Sequence, residues 1–180
     1  MKKILITGSA GFIGSNLLKN LIDKNIIYIT LRSNNLKKIN RGKNLRIVYF
    51  KNHSELNKKL KKLQLNTIIH CATHYVKDHK FEDIKKIIKS NIEFGNILLE
   101  NLDVMNVKKF INFTTIWENY NGIKDNSFNL YSVSKKAFGT FINFYNQKYK
   151  KIKFYNIFVS DTYGNGDRRT KLINLLQKNY

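Results

Sequence analysis

Three glycines fall within TGSAGFIG, Thr7 to Gly14, directly behind the apolar run KKILIT and directly ahead of helical spacing. An apolar strand that ends in a glycine turn and enters a helix is the opening unit of a parallel α/β sheet. Gly8 permits the tight turn, Gly11 lets the backbone approach a ligand, and Gly14 lets the helix pack on the strand. The first-turn amides of that helix favour an anion such as a pyrophosphate. The chain has only 9 glycines, so three here is a concentration. A glycine triplet alone would also serve as a plain turn. Its place between first strand and first helix makes the reading dinucleotide binding, through Gly8, Ala10, Gly11, Phe12, Ile13 and Gly14.

The rest of the chain repeats this unit. Phe12, Ile13, Leu17, Leu18, Leu21 and Ile22 recur at helical spacing. IIYITL is a strand, RSNNLKKINRGKN a polar loop, LRIVYF a strand, SELNKKLKKL a short basic helix capped by Ser54, and NTIIHCA a buried strand. A long helix follows, with Phe81, Ile84, Ile87, Ile88, Ile92, Gly95, Leu98, Leu99 and Leu102 on its inward stripe. VKKFINFT is a strand and IWENYNGIKDNSF a loop. LYSVSKKAFGTFINFYNQ is a helix with Val133, Ala137, Phe138, Phe141 and Tyr145 inward. IKFYNIFVS is the last strand, and the final dozen residues begin another helix. Strands alternating with helices predict an α/β fold, a Rossmann-type doubly wound parallel sheet, with residues 1–180 as one dinucleotide-binding domain.

Composition excludes several alternatives. The chain is 42% hydrophobic over 180 residues, enough for a folded core. No apolar run approaches the roughly 20 residues of a membrane span, and Thr7 and Gly8 break the opening stretch before it can act as a secretory leader. The single cysteine, Cys71, cannot form an internal disulfide and reads as a small core residue, which fits a reducing cytoplasm. The net charge of +21 would suit a nucleic-acid partner. Yet 28 of the 33 basic residues are Lys, spread along the whole chain, whereas a phosphate-reading face favours bidentate Arg. The lysines travel with Asn and Ile and a complete lack of Pro, the mark of an AT-rich coding sequence, so nucleic acid is not the expected partner. His53, His74 and His79 have no metal-ligand spacing with Cys71, and no metal is expected.

The second strand ends at Leu31. An NAD site carries an acid there to accept the adenosine ribose hydroxyls, whereas this chain has Arg32 and Ser33. A guanidinium cannot accept those bonds but suits a 2′-phosphate, so NADP(H) is expected over NAD(H). After the third strand the stretch FKN, Phe50 to Asn52, likewise lacks an acid.

The stretches TGSAGFIG, TIIHCAT, SNIEFGNILLE, KKFINFTT, YSVSK and FYNIFVSDTYGNGD, in this order, resemble the extended short-chain dehydrogenase/reductases, the NAD-dependent epimerase/dehydratase group acting on nucleotide sugars. Within it, INFTTIWENYN followed by FNLYSVSKKAF looks most like the reductases that make CDP-linked 3,6-dideoxyhexoses such as abequose. The resemblance implies that Tyr131 and Lys135 are the acid–base pair and that Lys135 also holds the nicotinamide ribose. It implies that Thr115 orients the substrate oxygen, Asn91 supports the site, and Cys71, Ala72 and Thr73 line the cofactor. Residues i and i+4 share a helix face, and a nearby ammonium is expected to lower the tyrosine pKa toward working pH. His70 reads as a hydrogen-bonded core histidine without a catalytic role.

The reaction follows from what flanks Thr115. The family's 4,6-dehydratases carry an Asp–Glu pair there, and this chain has Ile116 and Trp117. The family's epimerases bind NAD through the acid that Arg32 replaces. The expectation is NADPH-dependent reduction of a 4-keto nucleotide sugar, of the CDP- or dTDP-deoxyhexose type, in surface-polysaccharide sugar synthesis. A nucleotide-sugar epimerase and an inactive dinucleotide-binding module are the alternatives. Family members continue into a C-terminal portion that grips the sugar. That portion is expected to be missing here, which makes a separate C-terminal portion an expected partner beside the nucleotide sugar and a homodimer mate.

Overall fold

The computed structural model describes residues 1–32, 42–164, 167 and 176. Ser33, most of the polar loop before the third strand, and all but one of the residues assigned to a final helix lie outside the described residues.

Six strands run parallel: β1 (Lys2–Thr7), β2 (Asn25–Arg32), β3 (Leu45–Phe50), β4 (Thr67–His70), β5 (Lys109–Thr115) and β6 (Lys153–Val159), in the spatial order β3-β2-β1-β4-β5-β6. Alternation along β1 explains the two cores. Leu5 points to a cluster with Leu56 and Leu60 of α2 (His53–Leu60), Leu98 and Leu99 of α4 (Phe94–Glu100), and Phe138 and Ile142 of α5 (Leu130–Lys148). Ile4 and Ile6 point to the other face, where Leu17, Leu18 and Leu21 of α1 (Phe12–Leu21) cover them. With helices on both faces this is the doubly wound parallel sheet. The strand order reverses between β1 and β4, so a crevice opens at their carboxyl ends, where such sheets bind ligands. Among the described residues no helix is long and apolar enough to cross a membrane.

Three local expectations change. Helix α2 begins at His53, and Asn52 caps it by accepting from the Glu55 N–H at 2.9 Å, so Ser54 lies inside the first turn. The long helix is α3 (Phe81–Ile88), a π turn (Lys89–Glu93) and α4 in succession. The π turn takes an extra residue per turn and rotates the apolar stripe. Ile87 and Leu98 are therefore buried while Phe81, Ile84 and Ile88 face out. In α5 the buried face is Ser134, Lys135, Phe138, Ile142 and Tyr145, one position round from the expected stripe, and Val133 and Phe141 are exposed. Polar side chains at the buried positions hid that face from the apolar pattern.

Candidate active site

A cleft of about 620 Å³ lies over the β1–α1 turn, lined by Gly8, Gly11, Phe12, Ile13, Gly14, Arg32, Cys71, Ala72 and Thr73. These are nine of the twelve expected cofactor residues; Ala10, which sits exposed in the loop, and Tyr131 and Lys135 do not line it. Gly8 has φ +68°, and a Cβ there would lie 2.6 Å from the Ala72 nitrogen, so β4 passes the turn at backbone contact. A Cβ on Gly14 would lie 2.3 Å from the Gly8 oxygen, which brings α1 onto the strand. A Cβ on Gly11 meets only the Gly8 oxygen, at 3.3 Å, and otherwise fills the cleft. Helix α1 has no side-chain cap and no acid in its first turn, and the buried Ser9 Oγ has no partner. Unspent donors beside a cradle that a side chain would fill fit a pyrophosphate.

The far end of the cleft carries Arg32, the last residue of β2, beside Phe50 of β3 in register. Lys86 and Lys89, which the sequence reading missed, reach the same cleft from α3 and the π turn. Lys86 also pairs with Asp83 at 3.3 Å. Among the described residues no carboxylate lines the cleft.

The wall between β1 and β4 is held by Thr7. Its Oγ1 accepts from the Ala72 N–H at 3.2 Å and lies 2.8 Å from His70 Nδ1. The His70 ring packs against Phe94 and Phe138, and its buried Nε2 has no hydrogen-bond partner. Burial, with the Lys135 charge adding, pushes His70 down to about 3, so it is a neutral core histidine.

Thr115, Tyr131 and Lys135 stand at the carboxyl end of β5 and the start of α5. Asn129 and Ser132 form a reciprocal cap, each backbone N–H bonded to the other's side chain at 3.0 Å, which starts α5 sharply with Tyr131 in its first turn. Thr115 Oγ1 accepts from the Trp117 N–H at 3.2 Å, so its hydroxyl proton is not used in that bond. Tyr131 is half-buried, with Thr73 acting on its phenol, and edge-on to Tyr75 with ring centroids 5.0 Å apart. Through Thr73, which also lines the cleft, it borders the cofactor side. Lys135 is 2% exposed, and burial pulls its ammonium down to about 8.

One expectation is corrected here. Tyr131 is pushed up to about 12, chiefly by burial, with Tyr75 and Glu118 adding and Thr73 opposing. The phenol is held protonated, where a lowered value was expected from Lys135.

Asn91 joins the parts. In the π turn its Oδ1 accepts from the His74 N–H at 2.7 Å and the Thr73 hydroxyl at 3.1 Å. Its Nδ2 donates to His74 O at 3.1 Å and Ser134 Oγ at 2.9 Å. Asn91→Ala is expected to lower stability by about 1–3 kcal/mol, read by urea denaturation, because buried groups lose their partners. Unchanged stability would mean the network is not structural.

Sequence reasoning also missed Glu118. The stretch read as a loop is a 3₁₀ segment over Ile116–Gly122 with a kink at Asn119 to Asn121. Its first turn carries Glu118 back to accept from the Thr114 hydroxyl. The available signal was a Glu four residues after Thr114 at a strand end.

Comparison with known proteins gives a consistent kinship. The family model described as NAD dependent epimerase/dehydratase family matches residues 4–180. The CDP-abequose synthase of Yersinia pseudotuberculosis is 27% identical over 177 residues, covering 97% of this chain and 60% of that protein. The dTDP-D-glucose 4,6-dehydratase of Dictyostelium discoideum is 32% identical over 157 residues, 76% of this chain and 34% of that protein. The structure of the Bordetella bronchiseptica enzyme WbmH in complex with NAD+ superposes with a TM-score of 0.74 at 21% identity, covering 99% of this chain and 62% of that one. The chain thus spans about 60% of the length of the curated relatives it matches over nearly its whole length.

Proposed function

The chain belongs to the NAD dependent epimerase/dehydratase family, and from that premise we propose that it serves the NADPH-dependent reduction of a 4-keto nucleotide sugar. The observation that carries the reading is the charge of the cleft. Arg32, Lys86 and Lys89 line it and, among the described residues, no acid does, which suits a dinucleotide bearing a 2′-phosphate. The likeness to CDP-abequose synthases over nearly the whole chain supports a CDP-deoxyhexose as substrate class. A cytoplasmic place and a surface-polysaccharide destination are part of the same proposal.

In this reading Gly8, Gly11, Phe12, Ile13 and Gly14 hold the pyrophosphate and Arg32 the 2′-phosphate. Cys71, Ala72 and Thr73 border the bound cofactor, and Tyr131 and Lys135 hold its nicotinamide ribose. NADPH, when bound, supplies a hydride. The protein's own residues handle the proton. Thr115 orients the keto oxygen by a hydrogen bond from its hydroxyl and keeps its own proton. Tyr131, kept as a phenol, gives its proton to that oxygen as the carbonyl becomes an alcohol. The Lys135 ammonium offsets the charge of the phenolate left behind.

Arg32→Asp is expected to weaken NADPH binding by about 1.5–3 kcal/mol, the scale of hydrogen bonds to charged groups. NADH affinity should hold or improve. Calorimetric titration of both cofactors into wild type and variant checks this. Equal wild-type affinities would remove the reductase reading and favour the epimerase.

A further inference from the structure

Among the described residues, one carboxylate and one lysine are buried, and they lie in the same site: Glu118 at 8% exposure and Lys135 at 2%. Buried charges are disfavoured unless a partner answers them. These two act on each other electrostatically, although among the described residues no ion pair within 4.0 Å joins them. The Glu118 carboxylate is fixed in place. The Thr114 hydroxyl bonds to it, the Thr115 N–H acts on it, and the Ser127 hydroxyl donates to its backbone oxygen at 3.3 Å. The 3₁₀ turn that carries it starts at Thr115, so the carboxylate and the substrate-orienting hydroxyl are set by one piece of backbone.

We propose that Glu118 is a positioning residue of this site, the fixed counter-charge that keeps the buried Lys135 protonated without touching it. The inference rests on the reading of Tyr131 and Lys135 as the acid and its partner. The other groups facing Lys135 are His70 and Cys71 from the end of β4, and both are uncharged at neutral pH. The thiol is pushed up to about 12 by burial and the imidazole down to about 3. Lys136 faces Glu118 from α5, and its direct ion pair is with Asp125. Thr73, Tyr75 and Glu118 face Tyr131, while Asp78 and Asp161 act on Tyr75. Burial raises the Glu118 carboxyl above its ordinary value and the Lys135 charge opposes that rise, so Glu118, when ionised, is the negative group answering Lys135. The same charge discourages a phenolate at Tyr131, so the resting site holds both protons and is loaded to donate.

The test measures Lys135 itself, with 13Cε-labelled lysine and the resonance assigned by its absence in Lys135→Arg. Glu118→Gln keeps the shape and an acceptor for Thr114 but removes the charge. Its Lys135 midpoint is expected to fall from about 8 by about one pH unit or more, the effect of losing a nearby opposite charge. Glu118→Asp keeps the charge and should recover most of the shift. An identical midpoint in Glu118→Gln, with unchanged circular dichroism, overturns the proposal. If that variant does not fold, wild type serves. Its Lys135 resonance should show a second inflection in acid as Glu118 takes up a proton, and a single-step titration overturns the proposal. Neither measurement needs turnover, whereas failure of wild type to bind NADPH would sink the reductase reading alone.

Discussion

Tyr131→Phe is expected to lower the rate of 4-keto sugar reduction by roughly 10²–10⁴-fold, the range for a positioned acid, while NADPH still binds. The substitution removes one oxygen. The ring keeps its edge-on contact with Tyr75, and the reciprocal cap of Asn129 and Ser132 still starts the helix. Only the phenolic oxygen and its proton are lost. The assay belongs in a form of the protein that turns over a CDP-linked 4-keto sugar, followed by NADPH absorbance. Its pH dependence has a definite sign. Tyr131 keeps its proton up to about 12, so the acid does not limit the alkaline side. Lys135 carries its charge below about 8 and loses it above, so kcat/KM should fall as pH rises through that value. A Phe variant with the full rate would show that the proton comes from elsewhere.

Gly11→Val is expected to abolish dinucleotide binding, a weakening of at least about 100-fold, equivalent to about 2.7 kcal/mol. The fold should survive, because a Cβ at this position meets only the Gly8 oxygen, at 3.3 Å, and projects into the cleft. The side chain then stands where the backbone would approach a pyrophosphate. Gly14→Val is the useful contrast. Its Cβ would come within 2.3 Å of the Gly8 oxygen, so it should lower the melting temperature as well. Calorimetry with NADPH and thermal melts of both variants separate the two effects. Unchanged binding in Gly11→Val would reduce the loop to a turn.

The alternation of apolar runs and helical spacing carried the sheet. The inner strands were legible because parallel strands covered on both faces read as continuous apolar stretches such as TIIH, and β6, largely exposed, was legible from its aromatic and β-branched run KFYNIFV. The cofactor loop was legible because glycines are needed where backbones touch, as Gly8 and Ala72 do. What escaped was geometry that period counting cannot see. A π turn at Asn91 shifts the phase of one helix, and a buried polar face on α5 inverts the pattern of another. Lys86, Lys89 and Glu118 reach the site from elements whose placement only the folded chain decides. The state of Tyr131 escaped for a related reason. Spacing shows that Lys135 is near, but the balance depends on burial and on Tyr75 and Glu118, which spacing along one helix does not weigh.

The contact between Gly8 and Ala72 has a consequence for the order of assembly. The turn leaves the ribosome 64 residues ahead of its opposing wall, and Thr7 waits 63 residues for His70. Pairing across such a separation is entropically slow and comes after local helices have formed. A nascent chain arrested before β4 emerges thus carries the glycine motif intact but has no wall for a ligand to lean on. NADPH added during refolding would register the docking of β4 on β1, an event that helix content alone would miss.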